Sequence, residues 1–264
     1  MMKNSKILIR IKRLSEIEEY KKLGITNFLF ALEEFSIGYE TFTIEELKDL
    51  DENTYLLLNR VLDNKSINDF KIIKDKLSFC KGIIFEDLGI YEIMKDSKIP
   101  LIWNQNHFAV NTSSINIWLD KVSSVIISSE LEKSELEYIL NNVKKEVILP
   151  VFGFNMAMYS RRTLLSFYNE YKNLKNITSA NLTTGNKSFI AYENKYGTVL
   201  FYKKPFNLIG KIDEKYDNNI KFYYIDPRDL SISDFEELLQ GNITNDENQF
   251  FENKTVYRIG DLND

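Results

Sequence analysis

The chain is poor in the residue types on which most metal and nucleophile sites depend. Its 264 residues include one cysteine, Cys80, and one histidine, His107. A single cysteine excludes an intramolecular disulfide and any iron–sulfur cluster held by four thiolates of this chain alone. A single histidine excludes a site of several histidines, and a Cys/His catalytic pair requires these two residues to meet in space. We expect Cys80 to be a buried, inert thiol.

Glycine, proline and long apolar runs are also scarce. Only 10 glycines and 4 prolines are present, which leaves little material for flexible linkers. No apolar run is long enough for a membrane-spanning helix, and residues 1–13 lack the apolar core and cleavage site of a signal peptide. We therefore expect a cytoplasmic protein. The net charge of −5 excludes general electrostatic attraction to nucleic acid but leaves a local basic patch open.

The sequence does contain a regular alternation of short apolar runs and amphipathic stretches. The runs are continuously apolar, which is typical of strands buried on both faces of a parallel sheet. Eight strands are predicted: Ile7–Ile11, Asn27–Leu32, Tyr55–Leu58, Gly82–Phe85, Pro100–Trp103, Val122–Ile127, Val147–Val151 and Lys221–Ile225. Helical patterns follow four of them, at Leu14–Leu23, Ile67–Leu77, Ser134–Val143 and Leu164–Leu174.

This alternation predicts an α/β fold, a (β/α)8 barrel of the TIM type, over residues 1–240. A doubly wound open sheet is the alternative. The segment after the first strand, residues 12–15, carries no G-x-G-x-x-G, so dinucleotide binding is not expected. Two short apolar runs around Gly197 predict a β-hairpin inserted at about 187–204. Residues 241–264 are predicted to form a tail that packs on the barrel or on a partner.

Polar residues follow most of the predicted strands. They are Glu33-Glu34, Asn59-Arg60, Glu86-Asp87, Asn104-Gln105, Ser129-Glu130 and Asp226-Pro227-Arg228. The active site of a (β/α)8 barrel lies at the carboxyl ends of its strands, so we expect these side chains to converge on one mouth. Carboxylates, amides and arginines together suit a polar, hydrogen-bonding ligand. The alternative for any single position is an ordinary polar residue at the end of a strand.

From this set we select candidate site residues. The catalytic candidates are Asp87 and Glu130, whose carboxylates could activate water, and His107, an acid or base near neutral pH. The substrate-binding candidates are Glu33, Asn59, Gln105, Asn111, Arg161, Arg162, Asp226 and Arg228. The arginine pair is predicted to open a helix, where guanidinium groups and a helix N-terminus favour an anion. The alternative for that pair is a solvated first turn. No metal site is predicted.

Several segments resemble peptidase family U32, the collagenase-like peptidases. The stretch VFGFNMAMYSRRTLLSFYNEY resembles the family signature V-H-G-x-x-C-M-x-x-S-x-R-x-L, GIIFEDLGI resembles its D-x-G turn, LIWNQNHFAVN resembles H-x-S-T-Q-x-x-x-x-N, and FYYIDPR resembles K-I-E-G-R. Phe152 stands at the histidine position, and Met156 and Thr163 stand at positions that are cysteines in cluster-bearing relatives. Since neither side chain replaces a thiolate, the resemblance implies no iron–sulfur cluster on this chain.

Within that family, the chain most resembles the smaller component of a two-component tRNA hydroxylation system of Gram-positive bacteria. The segments SRRTLLSFYNEY and FFENKTVYRI carry this likeness. The resemblance implies an accessory subunit in the formation of 5-hydroxyuridine at the tRNA wobble position, with prephenate as co-substrate. It implies as partners a larger homologous subunit that carries an iron–sulfur cluster, and tRNA, with no membrane partner. The alternatives are a peptidase, for which no G-x-S-x-G or H-E-x-x-H is present, and a non-catalytic binding subunit.

Overall fold

The chain folds around a closed barrel of eight parallel strands. A computed structural model describes residues 2–185, 187–242 and 249–253. The strands are β1 (Ile7–Arg10), β2 (Asn27–Leu32), β3 (Thr41–Phe42), β4 (Asn53–Leu58), β5 (Gly82–Phe85), β6 (Leu101–Asn104), β7 (Ser124–Ile126), β8 (Val147–Gly153), β9 (Met156–Ser160), β10 (Ser179–Thr184), β11 (Lys187–Asn194), β12 (Gly197–Tyr202), β13 (Phe206–Asn207) and β14 (Ile220–Ile225). The barrel runs β1-β2-β4-β5-β6-β7-β8-β14 and closes on β1. This confirms the predicted (β/α)8 barrel.

Helices connect most of the barrel strands. They are α1 (Ile17–Lys22), α2 (Ile44–Leu47), α3 (Asn64–Ile73), α4 (Leu88–Met94), α5 (Thr112–Leu119), α6 (Lys133–Asn142), α7 (Leu164–Tyr171), α8 (Ile232–Leu239) and α9 (Gln249–Glu252). In the part of the chain that the structure describes, none of them combines the length and apolar character needed to cross a membrane. The predicted strands match β2 and β5 in both bounds, and the other six differ by one or two residues at one end or at both ends.

The core has two layers because alternate residues of each strand face opposite sides of the barrel wall. The outer layer packs between strands and helices. The inner layer fills the barrel with Leu8, Leu29, Ala31, Tyr55, Leu57, Ile84, Ile102, Ile126, Ile148 and Phe222. Since both faces are buried, the strands need apolar residues at every position. This accounts for the continuous apolar runs in the sequence.

A second, antiparallel sheet covers one end of the barrel. Its strand order is β10-β11-β12-β9, so the β11–β12 hairpin belongs to a four-stranded sheet. Because residues 156–160 form β9, Arg161 and Arg162 lie in a turn and do not open the following helix, contrary to the prediction. Helix α7 begins at Leu164, where the Glu193 carboxylate accepts hydrogen bonds from the Leu165 and Ser166 amides at 2.7 and 3.0 Å. That carboxylate satisfies amides that a helix N-terminus leaves free.

The predicted tail, residues 241–264, falls mostly outside the described residues. Of the part that is described, Phe251 is buried in the outer core layer. Glu252 forms an ion pair with Lys211, with 2.6 Å between Oε1 and Nζ. Residues 249–253 therefore pack on the barrel.

Candidate functional site

A cavity of about 380 Å³ lies between the carboxyl ends of the barrel strands and the second sheet. Its walls include Glu86, Asn104 and Asp226, which follow or end barrel strands. Its roof includes Met156, Met158 and Tyr159 of β9 and Phe201 of β12. This volume lies in the range of pockets that bind small molecules. We call this space the mouth cavity.

Glu86 forms one side of the mouth cavity. It directly follows β5, and its Oε1 accepts a hydrogen bond from Asn104 Nδ2 at 2.9 Å. Its side chain keeps some contact with the cavity but is surrounded by protein, and burial raises its pKa to about 8. A carboxyl group with this pKa is largely protonated at neutral pH and can donate a hydrogen bond or act as a general acid.

Asp226 forms the opposite side of the cavity. It accepts from Arg10 Nε at 2.7 Å and from Arg228 Nη2 at 3.2 Å, and all three residues are buried. Burial alone would raise the pKa of Asp226, but the two guanidinium groups and their hydrogen bonds hold it below its ordinary value. Asp226 is therefore ionised in the folded chain.

His107 and Glu130 meet at the rim. His107 lines the cavity, although 68 % of its side chain is exposed, and its Nδ1 lies 3.5 Å from Glu130 Oε2. Burial raises the pKa of Glu130, and the neighbouring imidazole opposes that rise. The two groups form an ion pair only when the histidine is protonated. This pair could exchange protons with solvent at the entrance.

Two of the predicted residues hold loops next to the cavity. Asp87 caps α4: its Oδ1 accepts from the Gly89 amide at 2.7 Å, and its Oδ2 accepts from the Leu62 amide at 2.8 Å. The side chain of Asn59 bonds to both the amide and the carbonyl of Ile37, each at 3.0 Å. The polar atoms of both side chains bond to the backbone, and neither side chain is part of the cavity lining.

The remaining candidates divide between the cavity and the outer surface. Gln105 lines the cavity and donates to the Glu86 carbonyl at 3.0 Å. Asn111 instead caps α5 by accepting from the Ser114 amide at 2.9 Å. Glu33 and Arg162 are exposed, and so is Arg161, whose Nη2 lies 3.4 Å from Asp63 Oδ2. Of the predicted residues, the cavity wall thus includes Gln105, His107 and Asp226.

The structure adds residues that the sequence prediction did not select. The main ones are Arg10, Tyr39, Glu86, Asn104 and Tyr159. The two-residue period of a strand could have identified three of them. Arg10, Glu86 and Asn104 each stand two positions after a residue of the inner layer, namely Leu8, Ile84 and Ile102. Inward-facing residues therefore continue into the mouth.

Comparison with known proteins decides the family. The model of peptidase family U32 matches residues 23–243. The chain belongs to peptidase family U32. A putative sporulation-specific glycosylase, ydhD, from Bacillus subtilis is similar over 75 % of this chain and 78 % of that chain, with 11 % identity and a TM-score of 0.28. A likeness at that score carries no argument about fold or function. No curated protein matches the chain.

The residues of this U32 chain do not fit an iron–sulfur cluster. Met156 stands in the roof of the mouth cavity, and Thr163 precedes α7. Cys80 lies ahead of β5, at the other end of the barrel, where burial raises its pKa to about 11. Cluster ligation requires thiolates, which neither a thioether nor a hydroxyl supplies. Residues 2–185, 187–242 and 249–253 also contain no group of three or more His, Cys, Asp or Glu side chains placed to hold a metal ion.

Proposed function

We propose that this U32 protein is the cluster-free accessory subunit of a system that forms 5-hydroxyuridine in tRNA. The observation that supports this most is the wall of the mouth cavity. Its polar side chains are in place, and its roof includes Met156, at the position where the family resemblance implies a cysteine in cluster-bearing relatives. A cavity that offers polar groups to a ligand but no thiolates suits a subunit that binds substrate while another chain carries the redox centre. The partners in this proposal are a larger homologous U32 subunit and tRNA, and the location is cytoplasmic.

The two sides of the cavity support a ligand that carries both acid and neutral polar groups. Near Glu86 and Asn104, the wall offers a protonated carboxyl and an amide. The wall on the other side is formed by Asp226, and two guanidinium groups lie directly behind it, where ion pairs with Asp226 hold them in fixed positions. Guanidinium groups suit carboxylates. Prephenate, a small ring-bearing acid, is the co-substrate that we propose.

Deletion of the gene, followed by mass analysis of tRNA nucleosides, tests the proposal. We expect 5-hydroxyuridine and its derivatives to disappear from the wobble position and to return when a plasmid copy is supplied. A tagged chain should also co-purify with a homologous U32 protein and with tRNA. Unchanged wobble-uridine modification in the deletion strain contradicts the proposal.

A peptidase is the second candidate, because the pKa of Glu86, about 8, suits a general acid. The hydroxyl of Ser129, which borders the cavity, donates to Asn155 Oδ1 at 2.6 Å and so is not paired with a base. We expect the purified chain to cleave neither gelatin nor a peptide library. Turnover that is lost in Glu86→Gln and retained in Glu92→Gln, a change on the exposed face of α4, would favour the peptidase instead.

A further inference from the structure

A second cavity, of about 260 Å³, lies beside the mouth cavity on the side of Asp226. Residues that line it include Arg10, Tyr39, Glu40, Tyr192 and Arg228. Tyr39 lines both cavities. We call this space the arginine cavity.

The buried charges next to the arginine cavity do not balance. Arg10, Asp226 and Arg228 are 1 %, 3 % and 7 % exposed, so two guanidinium groups share one buried carboxylate. Buried charges are normally paired, because an uncompensated one loses its hydration without replacement. The group therefore carries one positive charge more than Asp226 offsets. Two other carboxylates of the cavity lining have partners elsewhere: buried Glu193 accepts from the Leu165 and Ser166 amides, and Asp229 pairs with Lys12.

The hydrogen bonds of the two arginines show the same deficit. Arg228 Nη1 is buried and has no hydrogen-bond partner among the described residues. Arg10 Nη1 donates to Glu40 Oε2 at 3.4 Å, which is longer than a normal charge-assisted hydrogen bond. The Glu40 side chain is 50 % exposed. Glu40 is therefore a weak counter-ion that another anion can replace.

The two guanidinium groups are held rigidly. Arg228 has φ 44°, a left-handed conformation that is costly for a residue other than glycine, and its amide donates to Asp226 Oδ1 at 3.1 Å. Its Cζ lies 4.0 Å from the ring centre of Phe201 and 4.6 Å from that of Phe154. The ring of Tyr39 covers both arginines, with centre-to-Cζ distances of 4.9 and 5.6 Å.

We propose that the arginine cavity is a binding subsite for a carboxylate or phosphate group of a free small molecule. The ligand's anionic oxygens replace Glu40 on Arg10 and supply the acceptor that Arg228 Nη1 lacks, with a shift of the Tyr39 ring that now covers both groups. The chemistry that recognises the ligand is the fork of guanidinium donors, which matches planar anions in a bidentate manner. The binding of an anion at this subsite does not depend on whether the chain takes part in tRNA hydroxylation.

Calorimetric titration of the whole chain in buffer of low ionic strength tests the subsite. The probes are sodium malonate, inorganic phosphate and a single-stranded oligouridine. We expect at least one small anion to bind saturably with a stoichiometry of one. Glu40→Gln removes the half-exposed carboxylate that competes with the ligand for Arg10, so we expect about two- to fivefold tighter binding. The control is Glu45→Gln on α2, which makes the same charge change and should leave the affinity unchanged.

Arg228→Lys keeps the positive charge and removes the fork, so we expect binding at least about tenfold weaker. Arg13→Lys, at an exposed position, should bind like the wild type. Circular dichroism verifies the fold of each variant, and the Glu40→Gln result stands even if Arg228→Lys fails to fold. The proposal is overturned if neither small anion binds at up to about 10 mM, or if only oligouridine binds. It is equally overturned if Glu40→Gln binds no more tightly than Glu45→Gln.

Discussion

Two carboxyl groups face each other across the mouth of this barrel and differ in charge. Glu86 follows β5 and Asp226 follows β14, four strands apart in a ring of eight. Asp226 lies between two guanidinium groups that lower its pKa, whereas Glu86 accepts one amide hydrogen bond and has a pKa of about 8. Both are largely enclosed by protein, so their partners determine which one is ionised.

This difference makes the two sides of the mouth cavity electrostatically unlike. A ligand meets fixed charges on the Asp226 side and neutral hydrogen-bonding groups on the Glu86 side. A symmetric ring of ionised carboxylates would repel an acidic ligand, while this arrangement can orient one. The following predictions test the contrast between the two sides, from the largest expected effect to the smallest.

Asp226→Asn should cause the largest loss of stability. The substitution leaves Arg10 and Arg228 buried without their carboxylate, and breaking a buried ion pair typically costs about 3–5 kcal/mol. Urea unfolding at neutral pH measures this loss. Asp229→Asn is the matched control, because Asp229 is exposed and pairs with Lys12 at 2.6 Å, so its removal should change stability by at most about 1 kcal/mol. Equal losses of stability in the two variants would show that Asp226 is not part of a strong buried ion pair, which would contradict the contrast drawn with Glu86.

Glu86→Gln should change how stability depends on pH. The folded chain keeps the Glu86 proton up to about pH 8, whereas an ordinary glutamate releases it near 4.5. Between these values the folded state binds more protons than the unfolded state, so the contribution of Glu86 weakens as pH rises. We expect the variant to lack this decline and to exceed the wild type by roughly 2–4 kcal/mol at pH 8.5, with little difference near pH 5.

The control for this experiment is Glu92→Gln, an identical change at an exposed position that pairs with Lys95. Its unfolding free energy should follow that of the wild type at every pH. Parallel pH profiles for Glu86→Gln and the wild type would show that Glu86 is ionised near neutral pH and that the two sides of the mouth do not differ in this way.

Asp87→Asn should have the smallest effect. Asp87 caps α4 and bonds the Leu62 amide, and asparagine keeps one acceptor for these two bonds. We expect a loss of about 1 kcal/mol, measured by urea unfolding. A loss as large as that of Asp226→Asn would contradict this ranking of the two sides.

The barrel itself was predictable from the sequence, because short apolar runs that alternate regularly with amphipathic stretches are typical of parallel strands joined by helices. Strands Asn27–Leu32 and Gly82–Phe85 were predicted with both correct bounds. The polar residues after the strands also indicated the correct end of the barrel. The sequence did not show which of two adjacent polar residues after a strand faces the cavity. After β5, the motif resemblance favoured Asp87, whereas Glu86 is the residue that continues the inward-facing positions.

Other features depended on contacts between distant parts of the chain. The sequence predicts no strand between Val147–Val151 and the helical pattern at Leu164–Leu174, yet residues 156–160 form β9 because they pair with β12. The strand period places Arg10 among the inward-facing residues, but its ion pair with Asp226 follows from the closure of β1 against β14. Single-sequence patterns describe neighbours along the chain, so they could not reveal a site made by strands at opposite ends of it.

Complementation of a gene-deletion strain tests the central claim, that the mouth cavity of this chain serves tRNA hydroxylation, most directly. The measurement is the amount of 5-hydroxyuridine and its derivatives in total tRNA by mass spectrometry. We expect plasmid copies of the wild type and of Glu92→Gln to restore the modification. Glu86→Leu, which removes the hydrogen-bonding carboxyl from the cavity wall, should restore about a tenth of it or less. A deletion strain that keeps full wobble-uridine modification without any plasmid contradicts the claim, and so does full restoration by Glu86→Leu.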